Sequence, residues 1–166
     1  MGLHFESDRK STRKKVSKTD ALTKIRNYCA YQERAHKEVK QKLFDYGLTA
    51  DEVDEIISGL ITDGFLNEER FAKAFAGGKF RMKKWGRVKI QNELEMLGLT
   101  NRCITRGLKE IEEKDYQQTL KEVLKKKEEV LDEENPFKKK DKLARYAISK
   151  GYEPDLVWTC VKEMFE

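Results

Sequence analysis

The hydrophobic positions of this chain recur in three copies, each placed at fixed distances from a glycine. The glycines are Gly47, Gly98 and Gly151, separated by 51 and then 53 residues. Apolar residues stand eight and four positions before each glycine, and again six, ten and thirteen positions after it. Spacings of three and four residues place side chains on one face of a helix. Each copy therefore predicts two amphipathic helices joined by the left-handed turn that a glycine supplies.

A further helical stretch precedes each of these pairs, at about residues 20–31, 67–82 and 115–131. Each repeat is therefore predicted to contain three helices. Two helix-start signals support the pattern: Thr49 opens a capping box, and Asn135 precedes a proline that suits a first helical turn.

The sequence thus predicts an all-α fold of three tandem three-helix repeats. The predicted boundaries are residues 20–63, 64–113 and 114–166. Three short helices bury little apolar surface alone, so the repeats are expected to stack into an elongated, curved array.

Composition fits this fold and favours the cytoplasm. Hydrophobic residues make up 38% of the chain and charged residues 39%, a balance typical of solvated helices. The sequence contains neither a membrane-length apolar run nor an apolar secretory signal, and its three scattered cysteines suit a reducing compartment. Residues 1–19 are basic with few large apolar side chains, which predicts a disordered basic tail.

The residues needed for catalysis or metal binding are scarce in this sequence. His4 and His36 stand without neighbouring partners, and no two cysteines have a metal-binding spacing. A phosphate-cradling loop is absent as well, since the Gly77-Gly78 pair lacks the residues that follow such a loop and predicts a joint or a kink. We therefore expect no catalytic residues, no metal and no cofactor.

Basic residues form two clusters that are candidate contact surfaces. The first holds six basic residues and no acid, with a tryptophan among them: Lys79, Arg81, Lys83, Lys84, Trp85, Arg87 and Lys89. Such residues can neutralise phosphates while the ring stacks on a base, although Trp85 could instead fill the core at the corner between two helices. The second cluster is Lys138, Lys142 and Arg145, which share one helical stripe that either binds a partner or only solubilises the helix.

Two segments resemble the hallmark motifs of the RecX family. In residues 64–72, a glycine, an apolar pair and acidic residues precede Arg-Phe-Ala. Residues 85–94 follow an aromatic-Gly, basic, Ile, Glu-Leu pattern, and residues 38–43 give a weaker match. The resemblance spans residues 20–166, with departures at Asn67-Glu68, where the family usually has two aspartates, and at Ala35-His36, near an expected Arg-Ser pair.

The resemblance implies a non-catalytic regulator that lies along the groove of a RecA filament on single-stranded DNA. Such regulators limit filament growth or promote disassembly, and so restrain ATP hydrolysis, strand exchange and the SOS response. We expect a monomer whose partners are the RecA filament and single-stranded DNA, with double-stranded DNA as a further candidate, bound through the two basic clusters. Two alternatives remain open: a RecA-independent, nonspecific DNA-binding helical protein, and a helical scaffold whose basic residues serve only solubility.

Overall fold

The computed structural model describes residues 15–166 and confirms the predicted all-α repeat fold. Regular structure in these residues consists of nine α-helices. In chain order they are α1 (Lys18–Tyr31), α2 (His36–Asp45), α3 (Ala50–Thr62), α4 (Glu68–Lys83), α5 (Arg87–Met96), α6 (Asn101–Leu108), α7 (Glu113–Val130), α8 (Pro136–Ser149) and α9 (Pro154–Met164). Among these helices, none combines the length and apolarity that crossing a bilayer requires.

Turns and caps form where the sequence predicted them. Gly47, Gly98 and Gly151 have φ values of 84°, 80° and 100°, and each follows the second helix of its repeat. The Thr49 hydroxyl accepts a hydrogen bond from the backbone N–H of Glu52 at 3.3 Å, and the Glu52 carboxylate accepts one from Thr49 N–H at 3.1 Å. These local signals fix where the helices begin and end.

The chain divides into two compact units, the first ending at Leu66 and the second spanning residues 67–166. The first unit, as far as it is described, contains α1, α2 and α3 around a core that includes Ile25, Leu43 and Leu60. Leu66 is only 1% exposed and packs into this core, so the segment 64–66 lies with the first repeat rather than opening the second.

The predicted basic tail ends earlier than the sequence suggested. Lys18 already lies in α1, which is capped by the Ser17 hydroxyl. The backbone N–H of Val16 donates to the Tyr46 carbonyl at 2.9 Å, and Lys15 Nζ lies 3.3 Å from a Glu52 carboxylate oxygen. Apolar contact by Val16 and the N-cap of α1 explain this order. The rest of the predicted tail, residues 1–14, lies outside the described residues.

The second unit contains α4 to α9, with α4 packed along α6 and with α8 packed on α7 and α9. Its core includes Phe71, Leu94, Leu124 and Val157. The predicted joint at Gly77-Gly78 is wrong, because α4 runs through both glycines without interruption. Burial of the flanking Ala76 and Phe80 stabilises helix at this point more than glycine weakens it.

Candidate functional site

The second and third repeats meet where the corner before α5 docks on the corner after α8. The backbone N–H of Gly86 donates to the Lys150 carbonyl at 2.8 Å, and Val88 N–H donates to the Gly151 carbonyl at 2.9 Å. A side chain at Gly86 would collide with the Gly151 carbonyl and the Tyr152 amide. The missing side chain thus lets the two backbones come into direct contact.

Arg87 ties the two repeats together immediately beside this contact. Its Nε donates to Glu153 at 3.1 Å, its Nη1 donates to Glu113 at 2.9 Å, and its guanidinium lies 3.8 Å from the ring centroid of Tyr116. The Tyr116 hydroxyl also donates to Glu153, at 2.9 Å. The hydrogen bond from Arg87 lowers the pKa of Glu113, and burial raises the pKa of Tyr116. Arg87, a contact candidate from the sequence, is therefore bound to groups of this protein itself.

Trp85 is half-buried at the same corner, between an aromatic ring and two lysines. Its ring meets Phe75 edge-on, with centroids 6.4 Å apart. Lys79 Nζ and Lys89 Nζ lie 5.0 Å and 4.5 Å from the Trp85 ring centroid, within cation–π range. Trp85 therefore packs on Phe75 while part of its surface stays accessible beside two positive charges.

The corner between α4 and α5 is held by side chains of the third repeat. Lys84, the C-cap of α4, has a left-handed backbone with φ 58°. Its carbonyl accepts a hydrogen bond from the Tyr152 hydroxyl at 2.8 Å, and the Lys83 carbonyl accepts one from Lys150 Nζ at 3.2 Å. These two hydrogen bonds hold the backbone of Lys83 and Lys84 against the third repeat.

Lys150 joins the first basic cluster, although it was absent from the candidates chosen from the sequence. It is half-buried, and burial lowers the pKa of its ammonium group, with further lowering by the charges of Lys89 and Lys84. In sequence Lys150 is separated from this cluster by about sixty residues. The one signal in the sequence that could have identified Lys150 is its position directly before Gly151, one of the three repeat glycines.

The two basic clusters differ in whether their residues form ion pairs with carboxylates, and the first cluster is largely unpaired within residues 15–166. Arg81 is exposed on α4. Within the described part of the chain, no carboxylate forms an ion pair with Lys79, Lys83, Lys84, Lys89 or Lys150. The surface around Trp85 therefore carries concentrated positive charge.

In the second cluster, on α8, two of the three basic residues form ion pairs with carboxylates of the third repeat. Lys142 Nζ lies 3.2 Å from Glu133, and Arg145 Nε lies 3.0 Å from Asp141. The hydrogen bond from Lys142 lowers the pKa of Glu133, and the charge of the exposed Lys138 acts in the same direction. The stripe thus presents a mixed surface, which is less positive than the surface around Trp85.

The segment 64–72 has a clear structural purpose. Gly64 adopts a φ of 79°, and Leu66 fills the core of the first unit. The Asn67 side chain caps α4 by accepting a hydrogen bond from Arg70 N–H at 2.8 Å. Phe71 and Ala72 are buried in the second unit. The motif therefore builds a turn, a helix start and two pieces of core.

Comparison with known proteins identifies both three-helix groups of the second unit. Residues 67–108 match the family model for the second three-helix domain of RecX, and residues 113–161 match the model for the third. Together the two matches cover more than half of the chain.

Relatives with known names agree with these matches. The regulatory protein RecX of Clostridium perfringens (strain 13 / Type A) is 27% identical over 157 residues, covering 91% of this chain and 73% of the relative. The regulatory protein RecX of Bacillus cytotoxicus is 25% identical over 140 residues, covering 84% of this chain. The chain spans 52% of the length of that Bacillus relative.

Solved structures share the fold. The crystal structure of RecX from Lactobacillus salivarius matches with a TM-score of 0.78 at 22% identity, covering 88% of this chain and 95% of that one. A second crystal structure of regulatory protein RecX matches with a TM-score of 0.79 at 16% identity, covering 88% of this chain and 71% of that one. At these identities the two structures support the fold alone. Taken with the domain matches and the named relatives, they place the chain in the RecX family of regulatory proteins.

Proposed function

We propose that this protein binds RecA filaments on single-stranded DNA and restrains them, lowering filament growth, ATP hydrolysis and strand exchange and so limiting the SOS response. Membership of a family of regulatory proteins supports this function. The observation that carries it is the group of lysines around Trp85 that lack ion-pair partners among residues 15–166.

Clustered cations favour a nucleoprotein partner on physical grounds. Like charges that stand close together raise the free energy of the folded protein, and an anionic partner relieves that repulsion. A filament on single-stranded DNA offers phosphates, whose neutralisation releases bound counterions. Electrostatic complementarity of this kind also speeds association and orients the partner. The surface around Trp85 is therefore suited to first contact with the filament.

The sequence candidates divide into direct contacts and one positioning residue. We assign direct contact with the filament to the exposed and half-buried members of both clusters: Lys79, Arg81, Lys83, Lys84, Trp85, Lys89, Lys138, Lys142 and Arg145. Arg87 instead acts through its bonds to Glu113 and Glu153, which hold the second and third repeats together behind that surface. A protein that regulates the filament by occupying it does not have to catalyse a reaction.

The test is the rate of RecA-dependent ATP hydrolysis on single-stranded DNA with increasing amounts of the purified protein. We expect slowing at amounts well below those of RecA. The double variant Lys83→Glu/Lys84→Glu should need about ten- to a hundredfold more protein, because each charge-assisted contact contributes roughly 1 kcal/mol or more.

The matched control is Lys125→Glu/Lys126→Glu, which reverses an adjacent, exposed lysine pair on α7 and should inhibit as the original protein does. No slowing by the original protein at equimolar RecA would contradict the proposal. Tight, salt-sensitive binding to bare DNA together with no effect on RecA would favour a RecA-independent DNA-binding protein instead.

A further inference from the structure

Three lysines from two distant parts of the chain lie beside the contact where the second and third repeats dock. Lys89 packs directly on Gly151, so that a Cβ added to Gly151 would stand 2.6 Å from the Lys89 backbone nitrogen. Lys150 directly precedes Gly151 in the chain. The Lys84 carbonyl is bound by the Tyr152 hydroxyl at 2.8 Å. The backbone contact thus brings Lys89 beside Lys150, and the Tyr152 hydroxyl holds the Lys84 backbone to the same part of the third repeat.

The convergence leaves positive charge unbalanced. An ammonium group has three N–H donors, and Lys150 donates to the Lys83 carbonyl at 3.2 Å. Among the residues described, no carboxylate pairs with Lys84, Lys89 or Lys150. The charges of Lys84 and Lys89 act on Lys150, whose pKa is lowered by its burial and by both neighbours. An anion placed among the three would be stabilised by each of them.

Backbone strain at Lys84 adds a second observation at the same place. Its φ of 58° is left-handed, a conformation that a non-glycine residue adopts at a penalty of about 1–2 kcal/mol. The bonds from Tyr152 and Lys150 to the adjacent carbonyls hold this conformation. A left-handed residue commonly ends an α-helix, and here it fixes the point from which the Lys84 side chain extends.

We propose that Lys84, Lys89 and Lys150 form a composite phosphate-binding site at the junction of the second and third repeats, which takes a phosphodiester group of single-stranded DNA. This site deepens the proposed function and rests on it, since it names the part of the filament that this surface recognises. Neither repeat holds the site alone, because Lys84 and Lys89 come from the second and Lys150 from the third.

Trp85 favours single-stranded DNA as the source of the phosphate. The Lys89 ammonium lies 4.5 Å from the Trp85 ring centroid, so a phosphate bound by Lys89 lies beside an aromatic surface. Unpaired bases can stack on such a ring, with a contribution of about 1–3 kcal/mol per base. The bases of a duplex are already stacked inside it, and a carboxylate of a protein partner brings no base at all. A nucleotide with an accessible base therefore uses more of this surface.

The experiment uses the full chain carrying Trp158→Phe, which leaves Trp85 as the remaining one of its two tryptophans. Oligothymidylate is titrated at several salt concentrations while anisotropy and Trp85 fluorescence are recorded. We expect quenching of Trp85, and about three- to tenfold weaker binding by Lys150→Gln, with the salt slope reduced by about 0.7 for one lost phosphate contact. Lys150→Arg should bind as the original does. The control Lys125→Gln, an exposed lysine on α7, should leave both affinity and slope unchanged.

A second variant guards against misfolding of Lys150→Gln. Lys84→Gly removes a charge from the site, and glycine adopts the left-handed turn at this position without strain. It should therefore fold at least as well as the original protein and show the same loss of binding and of salt slope.

The outcomes separate this site from the function on which it rests. Unchanged affinity and salt slope in both Lys150→Gln and Lys84→Gly would overturn the site. Loss of RecA inhibition by these variants with normal oligothymidylate binding would also overturn it, and would mean that the lysines face acidic protein surface while the regulatory function stands. Lysine-dependent oligothymidylate binding by a protein without effect on RecA would support the site and refute the proposed function.

Discussion

Gly86→Ala adds one methyl group at the tightest contact between the second and third repeats. The backbone at Gly86, with φ −76° and ψ 165°, suits alanine, so local conformation alone predicts a gain of about 0.4–1 kcal/mol from lower entropy of the unfolded chain. The packed corner predicts the opposite sign. The new Cβ would collide with the Gly151 carbonyl and the Tyr152 amide, and backbone atoms cannot rotate away as a flexible side chain can.

The size of the loss follows from two effects. Overpacking of this kind typically costs about 1–3 kcal/mol. Separating the corners also weakens the hydrogen bonds from Gly86 to Lys150 and from Val88 to Gly151, each of which contributes about 0.5–1.5 kcal/mol. After the opposing entropic gain is subtracted, we expect the free energy of unfolding of the second unit to fall by about 1–5 kcal/mol.

Urea unfolding followed by tryptophan fluorescence measures this change selectively. Both tryptophans, Trp85 and Trp158, lie in the second unit, so their emission reports on its unfolding. The control is Gly78→Ala within α4, where an added Cβ meets nothing within 4 Å. Alanine there should raise stability by about 0.5–1 kcal/mol because it favours helix. If Gly86→Ala unfolded at the same or a higher urea concentration than the original protein, the packed corner would be refuted.

Three further predictions concern the stability of the second unit. Asn67→Ala should lower the unfolding free energy in urea by about 1 kcal/mol through loss of the α4 cap, whereas Asn67→Asp should keep it, and equal losses would contradict the capping role. Leu124→Ala should cost about 2–5 kcal/mol because the side chain is fully buried, and a loss under about 1 kcal/mol would contradict that burial. Arg87 lowers the pKa of Glu113, so the stability from this pair is complete above the unfolded pKa of about 4.3 and is lost as pH falls through the lower folded value. Glu113→Gln should therefore flatten the pH dependence of the unfolding free energy below about pH 4.3. At pH 7 it should lower that free energy by less than about 1 kcal/mol. An unchanged pH dependence below about pH 4.3 would contradict the pairing.

Local signals in the sequence were sufficient for the helices and placed their ends to within about two residues. The glycines at 47, 98 and 151 have the left-handed backbone that their positions predicted, and Thr49 caps α3 as its spacing with Glu52 required. Such features depend on residues a few positions apart, whose interactions are set by helix geometry alone. The joint predicted from Gly77-Gly78 is wrong because packing of the neighbouring side chains outweighs the low helix propensity of glycine.

The candidate site could be predicted only in part. The charges from Lys79 to Lys89 are visible as a run in the sequence, and so is Trp85 among them. Arg87 looks the same as its neighbours in that run, yet its guanidinium is bound to Glu113 and Glu153. The carboxylates that distinguish it lie 26 and 66 residues away, beyond any local pattern.

By itself, the sequence determined the three-repeat helical architecture, the position of the turns and the basic character of the segment around Trp85. Periodicity and capping depend on residues within one or two helical turns, so both can be recognised from the sequence. Only the tertiary structure decided which lysines lack ion-pair partners among residues 15–166, which arginine is bound within the protein, and that Lys150 stands beside Lys84 and Lys89. The physical reason is the docking of Gly86 on Gly151, a backbone contact between distant segments that brings together charges no sequence spacing relates.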